Sequence, residues 1–196
     1  MNKSSEENIG MKNFEHLFKQ ISSEEVHRNF FAIAGKLVGE DMIITAGKEN
    51  HYNSMTGSVT GLAFLFKKPT AWCFFREDRY TLEMIQIEQA YTLSYFTNDY
   101  MNQILFLGSK SGRDSDKMKE IELTSVQTPT GEITFKEARL VIECKLTQIT
   151  TADPNDFYSQ EAKNFVTKAY NEEKFYRKMV LGEISHIWVN NQETTQ

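Results

Sequence analysis

Apolar residues recur along this chain with two different periods, and the change of period marks the body of the fold. In "MKNFEHLFKQI", Phe14, Leu17, Phe18 and Ile21 follow helical spacing, which predicts a short amphipathic helix. "SSEEVHRNFFAIAG" carries Ser22 and Glu25 in capping-box spacing, so a second helix starts there, and Phe30, Phe31 and Ile33 lead into the body. From Asp41 the texture becomes that of strands. "DMIITAG" reads as a buried strand stopped by Gly47, "NSMTGSV" as a polar, small-residue strand or loop, and "TAWCFFR" as a short aromatic strand. "RYTLEMIQIEQ" returns to helix, "AYTLSYF" alternates with period two, and "NDYMNQILFLG" predicts a helix with Gly108 as its C-cap. "SDKMKEI" predicts a brief helix, "GEITF" and "ARLVIECKLTQIT" predict strands, and "KMVLGEISHIWV" predicts a long closing strand. Residues 152–175 read as charged and irregular, and residues 1–10 as polar and without order. The sum is a mainly β domain over 41–196, a closed barrel with peripheral helices, behind an N-terminal helical extension over 1–40.

Composition narrows the class without naming a function. The 196 residues suit one domain with an appendage, and 40% hydrophobic content with 14 Phe, 8 Tyr and 2 Trp allows a substantial core. A net charge of −5 gives no global field for nucleic acid or anionic lipid, so neither is an expected partner. Cys73 and Cys144 each lie in an apolar run and read as buried thiols. With no disulfide framework, signal-like core or long apolar run, the expected location is cytoplasmic.

Several chemistries find no support. Walker and Rossmann glycine spacings are absent, and His16, His27, His51 and His186 stand too far apart for metal-ligand spacing. No Gly-x-Ser-x-Gly elbow occurs, so a protein nucleophile is not indicated. What remains is three small, hydroxyl-rich segments, each following an apolar run: "NSMTGS" (53–58), "REDRYT" (76–81) and "GSKSGRD" (108–114). Singly they read as a turn, a helix N-cap and a solvated loop. Together they supply what a phosphorylated aromatic ligand requires. Arg76, Arg79, Lys110 and Arg113 offer charge-assisted bonds to a phosphate. Ser58, Thr81, Ser109 and Ser111 add hydroxyl donors, while Gly57 and Gly112 permit close approach of backbone N–H groups to an anion. Met55 and Tyr80 offer surfaces for a ring system.

In order, "DMIITAGKENHYNSMTGS", "KKP", "CFFREDRYT", "LSYF", "LGSKSGRDSDK", "ARLVIECK" and "LGEI" resemble the flavin reductase-like family of FMN-binding split β-barrels, in its bacterial branch. The resemblance implies a Greek-key split barrel, a homodimer, and FMN held noncovalently near the dimer interface and reduced by NADH or NADPH. It also implies positions for the cofactor. Asn53, Ser54, Met55, Thr56 and Ser58 would line the isoalloxazine and ribityl chain. Arg76, Arg79, Tyr80 and Thr81 would meet the phosphate. Ser109, Lys110, Ser111, Gly112 and Arg113 would close over the cofactor. No catalytic side chain is expected, because the flavin carries the hydride chemistry.

Three positions depart from the pattern. Relatives commonly carry a His-Arg pair before the closing "GEI"; here Arg177-Lys178 stands there, making Arg177 the candidate nicotinamide-binding residue. Val59 and Phe66 stand where tryptophans are expected. Three functions follow: an FMN-dependent NAD(P)H oxidoreductase, a flavin-binding carrier or sensor without turnover, and a barrel that acts only through protein contacts.

Overall fold

Six consecutive buried residues, Met42 to Gly47, show why the first long strand lacks an alternating pattern. In β2 (Met42–Lys48), Met42, Ile44 and Ala46 enter one apolar cluster while Ile43 enters another. A strand covered on both faces reads as a continuous apolar run. The computed structural model describes residues 14–22, 24–26, 28, 37, 40–57 and 60–191. The expectations for residues 1–10, for Phe30, Phe31 and Ile33, and for Ser58 lie outside these residues.

The remaining strands are β1 (Phe18–Ile21), β3 (His51–Gly57), β4 (Thr60–Leu65), β5 (Lys68–Arg76), β6 (Ala90–Tyr95), β7 (Ser125–Gln127), β8 (Ile133–Phe135), β9 (Leu140–Thr151) and β10 (Arg177–Asn190). The helices are α1 (Tyr80–Glu88), α2 (Met101–Ser109), α3 (Lys117–Glu120) and α4 (Gln160–Glu173). The main sheet is antiparallel in the order β3-β2-β6-β9-β10-β5-β4. β1 adds to β10, and β7 and β8 form a separate ribbon. Strand β10 serves two partners along one edge: Arg177–Glu183 pairs with β5, and Ile187–Asn190 pairs with β1. Register shifts at Leu181/Gly182 and Ile184/His186 bend it between the two. Gly182 is required at the first bend, where a Cβ would collide with the Tyr91 hydroxyl and lie 2.9 Å from Cys144 Cβ.

The mainly β architecture and most predicted strands are present, and the capping box is formed: Glu25 N donates to Ser22 Oγ at 3.2 Å and Ser22 N to Glu25 Oε2 at 3.0 Å. Cys73 and Cys144 are buried and not joined in a disulfide. His186 sits on β10, stacked on Trp188 at 5.7 Å with Nδ1 3.4 Å from Glu143 Oε2. Five expectations need correction. The helix over 11–21 gives way at Phe18 to β1, because Phe18 packs with Phe14 against Trp188 while its backbone pairs with Asn190. Gly108 does not cap α2 but lies inside it, and its missing Cβ lets the helix approach Thr56, whose Oγ1 would be 3.1 Å away. "TGLAFL", not expected as a strand, forms edge strand β4, joined to β5 by a turn in which Phe66 and Lys67 are both left-handed. Residues 160–173 are helical rather than irregular, started by Ser159, whose Oγ accepts from Ala162 N at 3.4 Å. Finally, β3 and β4 do not pair among the described residues, so the barrel is split rather than closed.

Candidate functional site

The hairpin between β2 and β3 starts the site. Gly47 has φ +116°, a left-handed conformation that a side chain would strain, and a Cβ there would strike the His51 carbonyl. The turn at Glu49-Asn50 then returns the chain along β3. Asn53 is buried and its Nδ2 donates to Thr81 Oγ1 at 2.8 Å. Ser54 turns to the interior, where its hydroxyl meets Thr45 Oγ1 at 2.8 Å. Met55 joins the core, and Thr56 Oγ1 donates to the Ile104 carbonyl of α2.

"REDRYT" brings the second segment to the same place. Arg79 occupies the N-cap of α1 in extended conformation, so Tyr80 and Thr81 form the helix's first turn. The Tyr80 hydroxyl lies 3.2 Å from His51 Nε2. Arg76 instead makes a two-pronged ion pair with Asp78, at 3.0 and 2.8 Å, and lies over the Phe175 ring.

The third segment leaves α2 at Lys110 and folds back over the first two. At Gly112 a Cβ would overlap Asn53 Oδ1, so glycine is what lets this backbone rest on the Asn53 amide. Arg113 reaches α1: Nη1 donates to the Asp78 carbonyl at 2.6 Å, Nη2 pairs with Glu83, and the guanidinium lies 5.3 Å from the Tyr80 ring centre. Ser111 Oγ accepts from Arg113 N at 3.2 Å, Ser109 Oγ donates to the Phe106 carbonyl at 2.8 Å, and Lys110 pairs with Glu120.

Lys117 closes the arrangement. It is 2% exposed, and Nζ donates to the carbonyls of Leu107 and Lys110, both at 2.9 Å. An ammonium has three N–H donors, so one remains, and among the described residues no carboxylate neutralises it. Burial, with a smaller contribution from the Arg79 charge, lowers its pKa from 10.5 to about 8.

These segments enclose a cleft of about 620 Å³. Glu49 to Asn53, Tyr80 and Gly112 to Lys119 line it. Of the residues expected from sequence, Asn53, Tyr80, Gly112 and Arg113 line this cleft, with Thr81 bonded behind Asn53. Ser54, Met55, Thr56, Arg76, Arg79, Ser109, Lys110, Ser111 and Arg177 do not line it. Arg177 stands on β10 opposite Arg76. The sequence reading missed His51, Tyr52 and Lys117. Lys117 ends the quoted "SGRDSDK" run, and its signal was hidden because a cation at a helix start reads as a solvated one. A second cleft of similar volume, between Asp41, Phe96, Met101 and Arg139, contains none of the expected residues.

The first cleft fits a phosphorylated flavin on three observations. Its volume lies within the ~300–1,000 Å³ range of small-molecule sites. Tyr52 and Tyr80 supply flat surfaces, and the missing Cβ of Gly112 lets the loop backbone close against the Asn53 amide beside them. Of the cations that line it, Lys119 pairs with Asp116 at 2.8 Å and Arg113 with Glu83, which leaves Lys117 without a counter-ion among the described residues, while the carboxylates Glu49 and Asp114 also line the cleft. Among the described residues no helix is long and apolar enough to cross a membrane.

A family model described as "Flavin reductase like domain" matches residues 35–196. Solved structures share the fold. An FMN-binding protein from Thermus thermophilus, crystallised with 1-cyclohex-2-enone, superposes with TM-score 0.59 at 16% identity, over 77% of this chain and 70% of that one. An FMN-binding domain of a flavin reductases-like enzyme from Shewanella baltica gives 0.64 at 12% identity, over 89% and 78%. Flavoredoxin from Methanosarcina acetivorans gives 0.57 at 16% identity, over 78% and 69%. No curated protein sequence matches significantly.

Proposed function

The chain belongs to the family of flavin reductase like domains, and on that premise we propose that it is an oxidoreductase that holds FMN in the cleft between Asn53, Tyr80, Gly112 and Lys117 and accepts hydride from NADH or NADPH. The observation that carries the reading is Lys117, a buried ammonium with a spare donor and no counter-charge among the described residues, in the lining of a cleft that Tyr52 and Tyr80 also line. A cation in that state gains most from an anion, because desolvation has already weakened its solvent bonds. The names of the Thermus and Shewanella relatives, both FMN-binding, agree with the ligand.

Lys117 would hold the anionic part of the cofactor, and the backbone at Gly112 would approach it without steric hindrance. Tyr52 and Tyr80 would flank the ring system. Asn53, fixed by its bond to Thr81, would keep its carbonyl oxygen toward the Gly112 loop. Bound FMN supplies the hydride chemistry, so the chain needs no nucleophile or general base. The protein's task is to fix the ring, balance charge and leave one face open to nicotinamide. We also propose that the chain assembles as a homodimer, which would cover exposed aromatics such as Phe64 and Phe74 on the β4–β5 hairpin.

A second reading, a flavin-holding module without nicotinamide turnover, is favoured by one observation: Arg177, at the family's nicotinamide-side position, lies beside Arg76 and does not line the cleft. Anaerobic addition of NADH or NADPH to the FMN-loaded protein separates the two. Bleaching of the flavin bands supports the oxidoreductase; retained FMN that stays oxidised supports the module. A protein that takes up no FMN defeats both.

A further inference from the structure

Arg113 engages both ends of its guanidinium on the segment that opens α1. Nη1 is bonded to the Asp78 carbonyl, Nη2 to the Glu83 carboxylate, and the plane between them covers Tyr80. A guanidinium donates from a rigid fork, so a group already held on three sides cannot turn to a phosphate without breaking the Glu83 pair. Its charge is also balanced there, and a phosphate brought alongside would meet the Glu83 carboxylate. Resting on the flavin reading above, we propose that Arg113 and Glu83 form a latch that fastens the 110–116 loop to α1 and thereby sets how fast FMN enters and leaves the cleft.

The ends of the loop are held, Lys110 by Glu120 and by Lys117 on its carbonyl, and Asp116 by Lys119, which leaves its middle to Arg113. Between Lys110 and Asp116 it has no regular secondary structure, and its internal bonds are short-range, from Asp114 N to the Ser111 carbonyl and from Arg113 N to Ser111 Oγ, both at 3.2 Å. Gly112 touches Asn53 but contributes no side chain that could anchor it. The loop forms one wall of the cleft, and Lys117 follows directly after it. Opening the Arg113–Glu83 pair would therefore release the wall that covers the cofactor. The pair is partly exposed, with side chains 39% and 50% accessible, as a contact that must open and re-form requires.

Glu83 does not line the cleft, and this makes the latch distinguishable from a direct phosphate contact. Glu83→Gln, Arg113→Ala and the double variant are loaded with FMN, and release is followed on dilution by recovery of flavin fluorescence. Each single variant should release FMN roughly 1.5- to 5-fold faster, and the double variant no faster than Arg113→Ala alone. In the FMN-free proteins, amide hydrogen exchange of Ser111–Ser115 should rise in both single variants. The latch is overturned if Glu83→Gln leaves release unchanged or slows it while Arg113→Ala speeds it, since that marks Arg113 as a phosphate ligand. It is equally overturned if loop exchange is unaltered in both. Failure of the flavin reading looks different: wild-type protein takes up no FMN, and the exchange measurement still decides whether the pair fastens the loop.

Discussion

If Lys117 holds the cofactor's anion, FMN affinity must fall as pH rises through the range in which that lysine loses its proton. Its pKa is lowered to about 8, first by burial and then by Arg79. A flavin phosphate has its second ionisation near pH ~6, so its charge is constant above neutrality and any change between pH 7 and 9 belongs to the protein. Affinity for a ligand that requires the ammonium should be level to about pH 7.5 and then weaken about tenfold per pH unit above 8. The empty protein should respond in the opposite sense. The folded pKa is below the unfolded one, so the unfolded chain binds more protons between about 8 and 10.5. Stability should therefore rise across that window, by at most about 3 kcal/mol from this group. Equilibrium titration with FMN at stepped pH reads the first effect, and urea unfolding of the empty protein reads the second. Lys117→Met should bind about 10- to 100-fold more weakly at pH 7 with no pH dependence, since a hydrogen bond to a charged group is worth ~1.5–3 kcal/mol. Lys117→Arg, which keeps its charge, should bind with a level profile across the same range. A wild-type affinity that is level from pH 7 to 9, or a Lys117→Met variant that binds like wild type, would refute the reasoning.

Three further outcomes are expected. Gly112→Ala drives a Cβ into Asn53 Oδ1, so FMN affinity should drop by at least tenfold while the far-ultraviolet circular dichroism spectrum is unchanged; equal affinity would mean the loop does not rest on Asn53. Asn53→Ala leaves the buried Thr81 hydroxyl without its partner and should lower unfolding free energy by about 1–3 kcal/mol, measured by urea denaturation. Cys73 and Cys144 are buried, and burial raises the Cys144 thiol pKa further, so a thiol reagent should label neither in the native protein and both after unfolding.

The strands were legible where burial is two-sided or local chemistry is explicit. β2 announces itself as an apolar run, and Ser22 with Glu25 announces a helix start, because both signals are complete within a few residues. Signals that depend on distant partners were not readable. Phe18 keeps helical spacing with Phe14 yet becomes a strand because β10 offers an edge at Asn190. Gly108 has the position of a cap, but its purpose is the approach to Thr56 on another strand. Helix α4 carries Ala162, Phe165, Val166, Ala169 and Tyr170 at helical spacing, but among its described side chains none is fully buried, and the charged residues between them masked the stripe.

The same limit governs the site. Of the three polar segments grouped from sequence, Asn53, Tyr80 and Gly112 line one cleft. Which cations carry a counter-ion in the folded chain was not legible. Lys110 and Arg113 look available in the sequence, but folding pairs them with Glu120, 10 residues on, and Glu83, 30 residues back, and no local pattern reveals either pairing. Lys117 looks like a surface lysine at a helix start and is instead buried against two carbonyls.

The most direct measurement is a crystal structure of the protein grown with excess FMN. The account predicts flavin density between Tyr80 and the Gly112 loop, with an anionic oxygen in hydrogen-bond range of Lys117 Nζ. Flavin bound elsewhere on the chain, or this cleft empty at saturating FMN, would contradict it.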